Sequence, residues 1–245
     1  MPASIKVWRP ADLADVELRR GAAVTEPYPR HWHEEYQLCL VQDGGGELAY
    51  RGRHHATPND SLFIVHPGEV HANHTDSSAG CYFRSLYIPP DAFRQLAADL
   101  VNHSRSLPFF PQPLVFDKDI IDLYLDLHLM LETPGYRLAG ESLLLELLVR
   151  LMARYAQEPP ALTKAGRERE AVRRVREYLT EFYAENASLD HLARIAGLSP
   201  FHLSRVFCKE VGMPPHAFQT QARVARAKTL IRQGYPLSRV AALTG

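Results

Sequence analysis

Apolar positions along the chain follow two rhythms. Up to about residue 110 they come in short runs rich in β-branched and aromatic residues: "YQLCLV", "GELAYRG", "SLFIVHPG" and "CYFRSLYI". Such runs, separated by turn residues, predict strands. Gly44-Gly45-Gly46 predicts a hairpin between the first two. Many short strands in succession predict a sandwich or small barrel, and "PPDAFRQLAADL" predicts a helix that closes it.

The period then lengthens. Residues 117–131 and 139–156 predict two strongly apolar helices. In the second, Leu144, Leu147, Leu148 and Leu151 form one stripe, widened by Leu143 and Met152. With Leu123 and Leu127 they offer more apolar surface than a helical hairpin hides. A homodimer through this segment is therefore expected, with charged substitutions at Leu144 and Leu148 giving folded monomers. "QEPPALTKAG" reads as a linker.

From Glu168 onward the pattern is helical throughout. Val172, Val175, Leu179 and Phe182 share one face. Ser188 and the Ser199-Pro200 pair are N-cap signals, and Gly212 and Gly234 are stop signals. Within "RIAGLSPFHLSRVFCKEVG", Ala193 is a small residue that admits a crossing helix, and Gly197 supplies a left-handed turn four residues later. Leu192, Ala196, Leu198, Leu203 and Val206 fill the wedge. Phe201, His202, Ser204 and Arg205 then point away from it. This predicts a helix-turn-helix whose second helix meets DNA. The bland alternative is a helical hairpin with a solvated face. "PLSRVAALTG" repeats the spacing 48 residues on, with Ala241 and Gly245 in the places of Ala193 and Gly197. A second unit thus begins and reaches its turn glycine. About 35–45 further residues are expected to supply its second helix, and the stretch as given is expected to hold DNA weakly.

"SLDHLARIAGLSPFHLSRVFCKEVGMPPHAFQTQARVARAKTLI" and "PLSRVAALTG" resemble the AraC/XylS family of bacterial transcription regulators. "HWHEEYQLCLVQDGGGELAYRGRHH" and "DSLFIVHPGEVH" are similar to that family's cupin-type sensor domain. The resemblance implies an α+β protein in three parts. Residues 1–112 would be a cupin-like sensor β-barrel, 113–160 a helical dimerisation segment, and 165–245 an all-α helix-turn-helix DNA-binding domain. It implies a ligand-responsive regulator whose partners are promoter DNA, a small-molecule effector, a second copy and RNA polymerase. Phe201, Ser204 and Arg205 would face bases, with His202 beside them and Lys209 on phosphate.

Composition sharpens this picture in three places. Formal net charge is zero, yet residues 166–245 carry 13 basic and 7 acidic side chains, a net +6. The remainder carries −6, so the C-terminal third is the part suited to phosphates. The sparse cysteines Cys39, Cys81 and Cys208 form no metal-binding pattern and fit a reducing compartment. The N-terminus lacks an apolar signal core and no uncharged apolar run reaches membrane-spanning length, so a cytoplasmic protein is expected.

Seven of the twelve histidines lie between His31 and His74. On a strand His31 and His33 would face one side, and with Gln37 and His71 they are candidates to line an effector pocket inside the barrel. Imidazoles suit a polar or anionic effector. The competing reading is a cupin-fold metal-dependent enzyme. It is disfavoured because Gln37, neutral and a poor ligand, stands where a carboxylate is wanted. Neither a metal, a cofactor nor a catalytic residue is expected. A further alternative is a short regulator that only dimerises with full-length relatives. Scattered histidines such as His128 and His191 are expected at the surface or in local hydrogen bonds.

Overall fold

Strands Tyr36–Asp43 (β4), Ser61–Val65 (β7) and Cys81–Ile88 (β9) are buried over most of their length rather than on alternate positions. Continuous burial requires cover on both faces, and a computed structural model of the chain shows what supplies it. It describes residues 3–13, 15–100 (without the side chains of 97–100), 107–159 and 168–245. The expected linker at 157–166 lies largely outside the described residues.

Two antiparallel sheets make up the first half. One runs β1-β2-β9-β4-β7-β10, where β1 is Ser4–Trp8, β2 Glu17–Val24 and β10 Leu114–Val115. The other runs β3-β8-β5-β6, where β3 is Tyr28–His31, β5 Gly46–Tyr50, β6 Arg53–Thr57 and β8 His71–Thr75. Val24, Cys39, Val41, Leu48, Tyr50, Phe63, Val65 and Phe83 form the core between them. This is the cupin-like architecture, built as two facing ladders. The outer face of the larger sheet is covered by α2, Lys118–Met130. Asp117 caps that helix by accepting from Asp119 N at 3.0 Å. Its Tyr124 hydroxyl donates to Arg84 O at 2.7 Å and to Leu38 O at 3.0 Å. Pro90–Leu100 is α1, as the sequence predicts.

The glycine triplet does not make a hairpin. β4 and β5 belong to different sheets, so the triplet carries the chain across from one to the other. A side chain on Gly46 would meet His74 O at 1.9 Å, which leaves glycine as the residue that fits. The tight hairpin is β5–β6, where Arg51 and Gly52 both adopt positive φ, 51° and 70°, the signature of a two-residue turn.

Compact packing divides the chain into two units that differ from the expected domain limits. One holds Met1–Glu132 with Leu147–Pro160, and the other Thr133–Glu146 with Ala161–Gly245. The helical segment expected at 113–160 therefore contributes to both. Its second helix, α3 (Arg137–Tyr155), spans the division. Leu144, Leu147, Leu148 and Leu151 are 8%, 0%, 3% and 0% exposed in the single chain. The stripe assigned to dimerisation is thus already buried, and it offers a second copy no free surface. His128 is also buried, not at the surface. Its Nδ1 accepts from Arg84 at 3.0 Å, and its Nε2 faces Arg19 O at 3.3 Å.

The second unit is helical: α4 Arg169–Glu181, α5 Leu189–Ala196, α6 Pro200–Val211, α7 Pro215–Arg232 and α8 Leu237–Thr244. Val172, Val175, Leu179, Leu192, Ala193, Ala196, Leu203, Val206 and Phe207 form its core, joined by Leu138 of α3.

Candidate nucleic-acid interface and sensor cluster

α6 is positioned by its ends. Ser199 Oγ accepts from His202 N at 3.3 Å, and Pro200 begins the helix. Gly197 has φ 69° and ψ 32°, the left-handed conformation that turns α5 into α6. Ser188 Oγ caps α5 by accepting from His191 N at 3.1 Å. Arg174 of α4 donates to Ala196 O at 3.0 Å and so steadies the turn. Ala193 and Ala196 are buried where α6 crosses, which gives the steep helix pair its close approach.

The side chains singled out on α6 separate into two groups. His202 is half-buried, with Nε2 3.8 Å from Glu168 Oε1, and Lys209 is exposed. Phe201 is buried rather than in solvent as expected, and Ser204 and Arg205 are half-buried. Phe201 is 6% exposed, and the Arg205 guanidinium lies over its ring at 5.2 Å. Ser204 Oγ and Arg205 Nη1 are buried without a hydrogen-bond partner. The helical period explains why the sequence misleads here. Positions 201, 204, 205 and 208 share one side of α6, which runs from buried Phe201 through half-buried Ser204 and Arg205 to exposed Cys208.

In the sensor unit the histidines do converge, but not by strand alternation. His31 ends β3, whereas His33 lies in the loop beyond it. Ring centroids are 4.2 Å apart for His31–His71, 4.9 Å for His33–His71 and 6.1 Å for His31–His33. Each Nδ1 faces a backbone carbonyl: Pro29 O at 2.8 Å, Glu35 O at 2.8 Å and Glu69 O at 3.1 Å. A carbonyl only accepts, so in neutral His31 and His71 the proton sits on Nδ1 and Nε2 is left as an acceptor. His33 Nε2 is 3.3 Å from Gln37 Oε1, so both nitrogens of this ring face oxygens that accept. The Gln37 amide, itself buried, donates to the Tyr87 hydroxyl at 3.0 Å. His71 Nε2 is buried with no partner. Burial holds the His33 and His71 pKa values below the ordinary range, that of His71 at about 4. Among the described residues, no group of three or more His, Cys, Asp or Glu side chains is disposed to hold a metal ion.

Among the described residues, the space bounded by β3, β4, β7 and β9 is small. The cavity lined by Tyr28, Cys39, Phe63 and Phe83 measures about 30 Å³, whereas small-molecule sites span roughly 300–1,000 Å³. An effector of ordinary size does not fit this particular cavity. A cavity of about 310 Å³ lies instead beside His71, lined by Arg30, Tyr50, Arg51, Arg53, His54 and Val70. Arg51 is held by Glu69 at 2.8 Å. Arg30 and Arg53 are exposed. Sequence reasoning missed these arginines and Tyr87. The "RGR" turn was the available signal for Arg51 and Arg53.

Comparison with known proteins agrees with this geometry. The AraC-like ligand binding domain family matches residues 13–148, and a helix-turn-helix domain family matches residues 192–245. The chain belongs to the AraC family. It is 26% identical over 219 residues to the uncharacterized HTH-type transcriptional regulator YbfI of Bacillus subtilis (strain 168), covering 89% of this chain and 79% of that protein. It is 26% identical over 217 residues to the HTH-type transcriptional activator RhaS of Pectobacterium carotovorum subsp. carotovorum (strain PC1), covering 84% and 75%. Among solved structures it is similar to the AraC-like transcriptional activator CuxR, at 13% identity and a TM-score of 0.45, covering 91% of this chain and 80% of that one. The chain is accordingly an AraC-type, ligand-responsive, DNA-binding transcription regulator. No helix among the described residues is long and apolar enough to cross a membrane.

Proposed function

We propose that this AraC-family regulator reads promoter DNA in the cytoplasm through α6 and takes its effector at the histidine cluster. Arg205 and Ser204 meet base edges, with Phe201 and His202 beside them, and Lys209 meets phosphate. The observation that carries this reading is the crossing of α5 and α6. It is set by Ala193 and the left-handed Gly197 and presents α6 on a buried helical core. A net charge of +6 over residues 166–245 supports the same assignment. His31, His33, Gln37 and His71, with the adjoining cavity of about 310 Å³, hold the effector. The arginines on the cavity rim favour a small anion. Homodimerisation and contact with RNA polymerase complete the proposal, and they rest on family membership rather than on the buried leucines. The chain acts as a regulator and not as an enzyme.

The test is Arg205→Ala in the full chain, measured on a duplex selected by that chain from a random library and on the unselected library. A bidentate arginine–guanine contact is worth about 1–3 kcal/mol, roughly 5- to 150-fold in Kd. The loss should fall on the selected duplex alone. Equal loss on both would make Arg205 a phosphate contact and remove it from base reading.

A further inference from the structure

The chain passes out of the sensor unit after Pro160. Just before that point, Gln157 N donates to Phe109 O at 2.8 Å. Phe109 belongs to residues 107–110, which form neither helix nor strand. Such a segment has no ladder to hold it, so its backbone groups need partners from elsewhere. The Tyr36 hydroxyl donates to Pro108 O at 2.8 Å. Phe110, fully buried, donates its N–H to His66 Nε2 at 2.9 Å and accepts at its carbonyl from Arg51 Nη1 at 3.1 Å. The Phe109 ring is 43% exposed, yet it is stacked on the His66 imidazole at 5.1 Å and has the Arg51 guanidinium 4.4 Å from its centroid. Arg51 and Gln157 are far apart in the chain, and their hydrogen bonds land on adjacent carbonyls.

The other end of this arrangement belongs to the effector cavity. Arg51 and Gly52 make the β5–β6 turn, and both line the cavity of about 310 Å³ with Tyr50, Arg53 and His54. Glu69 accepts from Arg51 Nε at 2.8 Å and from the Tyr50 hydroxyl. That hydroxyl oxygen accepts in turn from His66 N at 3.1 Å. With Nε2 accepting from Phe110 N, the neutral His66 ring carries its proton on Nδ1, 2.9 Å from the Tyr50 oxygen. Arg51 Nη2, which only donates, stands 2.7 Å from that same nitrogen. Two donors face each other there, so the Glu69 carboxylate is what keeps the guanidinium against the ring. A second carboxylate or a phosphate at Arg51 competes with that hold.

We propose that residues 108–110 are a clasp by which the β5–β6 turn, on the cavity wall, fixes Gln157 where the chain leaves the sensor unit, and that Arg51 is its positioning residue. The effector reading given above supplies the trigger, and the clasp adds the route by which it is felt. An anion that draws Arg51 off Glu69 unfastens Phe110 O and the Phe109 ring, and with them the carbonyl that holds Gln157.

The test is amide hydrogen exchange in the full chain, read at single residues by mass spectrometry. Gln157 N and Phe110 N report the clasp. Leu131 N, bonded to Leu127 O at 3.0 Å, is the internal reference. Arg51→Gln should speed exchange at Gln157 and Phe110 by about tenfold or more and leave Leu131 within about twofold, because each amide exchanges through its own local opening. Exchange at Gln157 that stays slow in this variant overturns the clasp. If Arg51→Gln speeds all three amides alike, Glu69→Gln decides, since it weakens the anchor and leaves the contacts of Arg51 to Phe110 in place. The same selective gain there upholds the clasp, and an unselective or absent gain overturns it. Inorganic phosphate, against chloride at equal ionic strength, should speed exchange at Gln157 in the unaltered chain and add nothing in Arg51→Gln. A phosphate effect that persists in Arg51→Gln overturns the role of Arg51, because a residue that merely supports the fold would leave that response intact. A clasp that opens in Arg51→Gln but ignores phosphate stands, and it is then the anionic reading of the cavity that fails, so the two failures are distinguishable.

Discussion

Acid should unfold the sensor unit well before its carboxylates titrate, and three buried histidines set the size of the effect. His66, His71 and His128 are 7%, 1% and 0% exposed. Burial pushes each pKa down to about 4. The Arg51 guanidinium adds to this at His66, and the Arg84 guanidinium at His128. Their hydrogen bonds need the neutral ring. His66 Nε2 accepts from Phe110 N at 2.9 Å, and His128 Nδ1 accepts from Arg84 at 3.0 Å. In the unfolded chain each histidine titrates near about 6.5. Between that value and about 4 the unfolded state binds more protons than the folded one, so stability falls as the pH falls. At about pH 5.5 each residue has lost roughly 1.4 kcal/mol, and the three together roughly 4 kcal/mol. That is a large fraction of the roughly 5–15 kcal/mol typical of folded domains. The chain's two tryptophans, Trp8 and Trp32, both lie in the sensor unit, so their fluorescence reports its urea unfolding separately from the helical unit. The free energy of unfolding should drop by about 4 kcal/mol from about pH 7.5 to about pH 5.5, and by about one third less in His128→Gln. A change under about 1 kcal/mol, or a gain, would refute the neutral-histidine account.

Two further outcomes follow from the packing. Gly197→Ala meets no atom within 4 Å. Its cost is therefore the left-handed backbone alone, about 1–2 kcal/mol, read as a lower melting midpoint of the helical unit with the sensor fluorescence unchanged. Leu148 is 3% exposed, and losing its burial costs about 1.5–3 kcal/mol before the buried charge is counted. Leu148→Asp should thus unfold the sensor unit, and a folded monomer by sedimentation and circular dichroism would restore the leucine stripe as a dimer surface.

What the sequence made legible was whatever depends on local chemistry. Ser188, Ser199-Pro200, Gly197 and Gly212 set helix ends by capping and backbone conformation, which neighbours a few residues away decide. β4, β7 and β9 were visible because burial on both faces leaves long apolar runs. β3, β6 and β8, "YPRH", "RHHAT" and "HANHT", hide because their polar residues face solvent or one another. The glycine triplet looks like a hairpin because turn residues tell how a chain bends and not which sheet it joins next. A leucine stripe likewise shows that apolar surface will be buried without saying whether the cover is the same chain or another. His33 reaches its cluster by a loop, so the pairing with His31 was found for the wrong geometric reason.

Ser204 and Arg205 of α6 and His71 of the sensor unit have one physical feature in common. Each leaves a polar atom buried and unpaired, at about 1–3 kcal/mol per atom. A fold selected only for stability removes such atoms or hydrates them. In a regulator they serve as stored differential affinity. A ligand shifts a conformational equilibrium only by as much as it prefers one state over the other. At the proposed effector site, a ligand that supplies a partner to His71 Nε2 gains that preference in the sensor unit. On the proposed reading of α6, a base edge that supplies one to Arg205 and Ser204 gains it in the DNA-binding unit. Two or three such atoms amount to several kcal/mol, against the roughly 5.5 kcal/mol needed to carry a two-state element from 1:99 to 99:1. With the effector and base contacts proposed above, the response of this chain would depend less on new contacts being strong than on these contacts being absent beforehand.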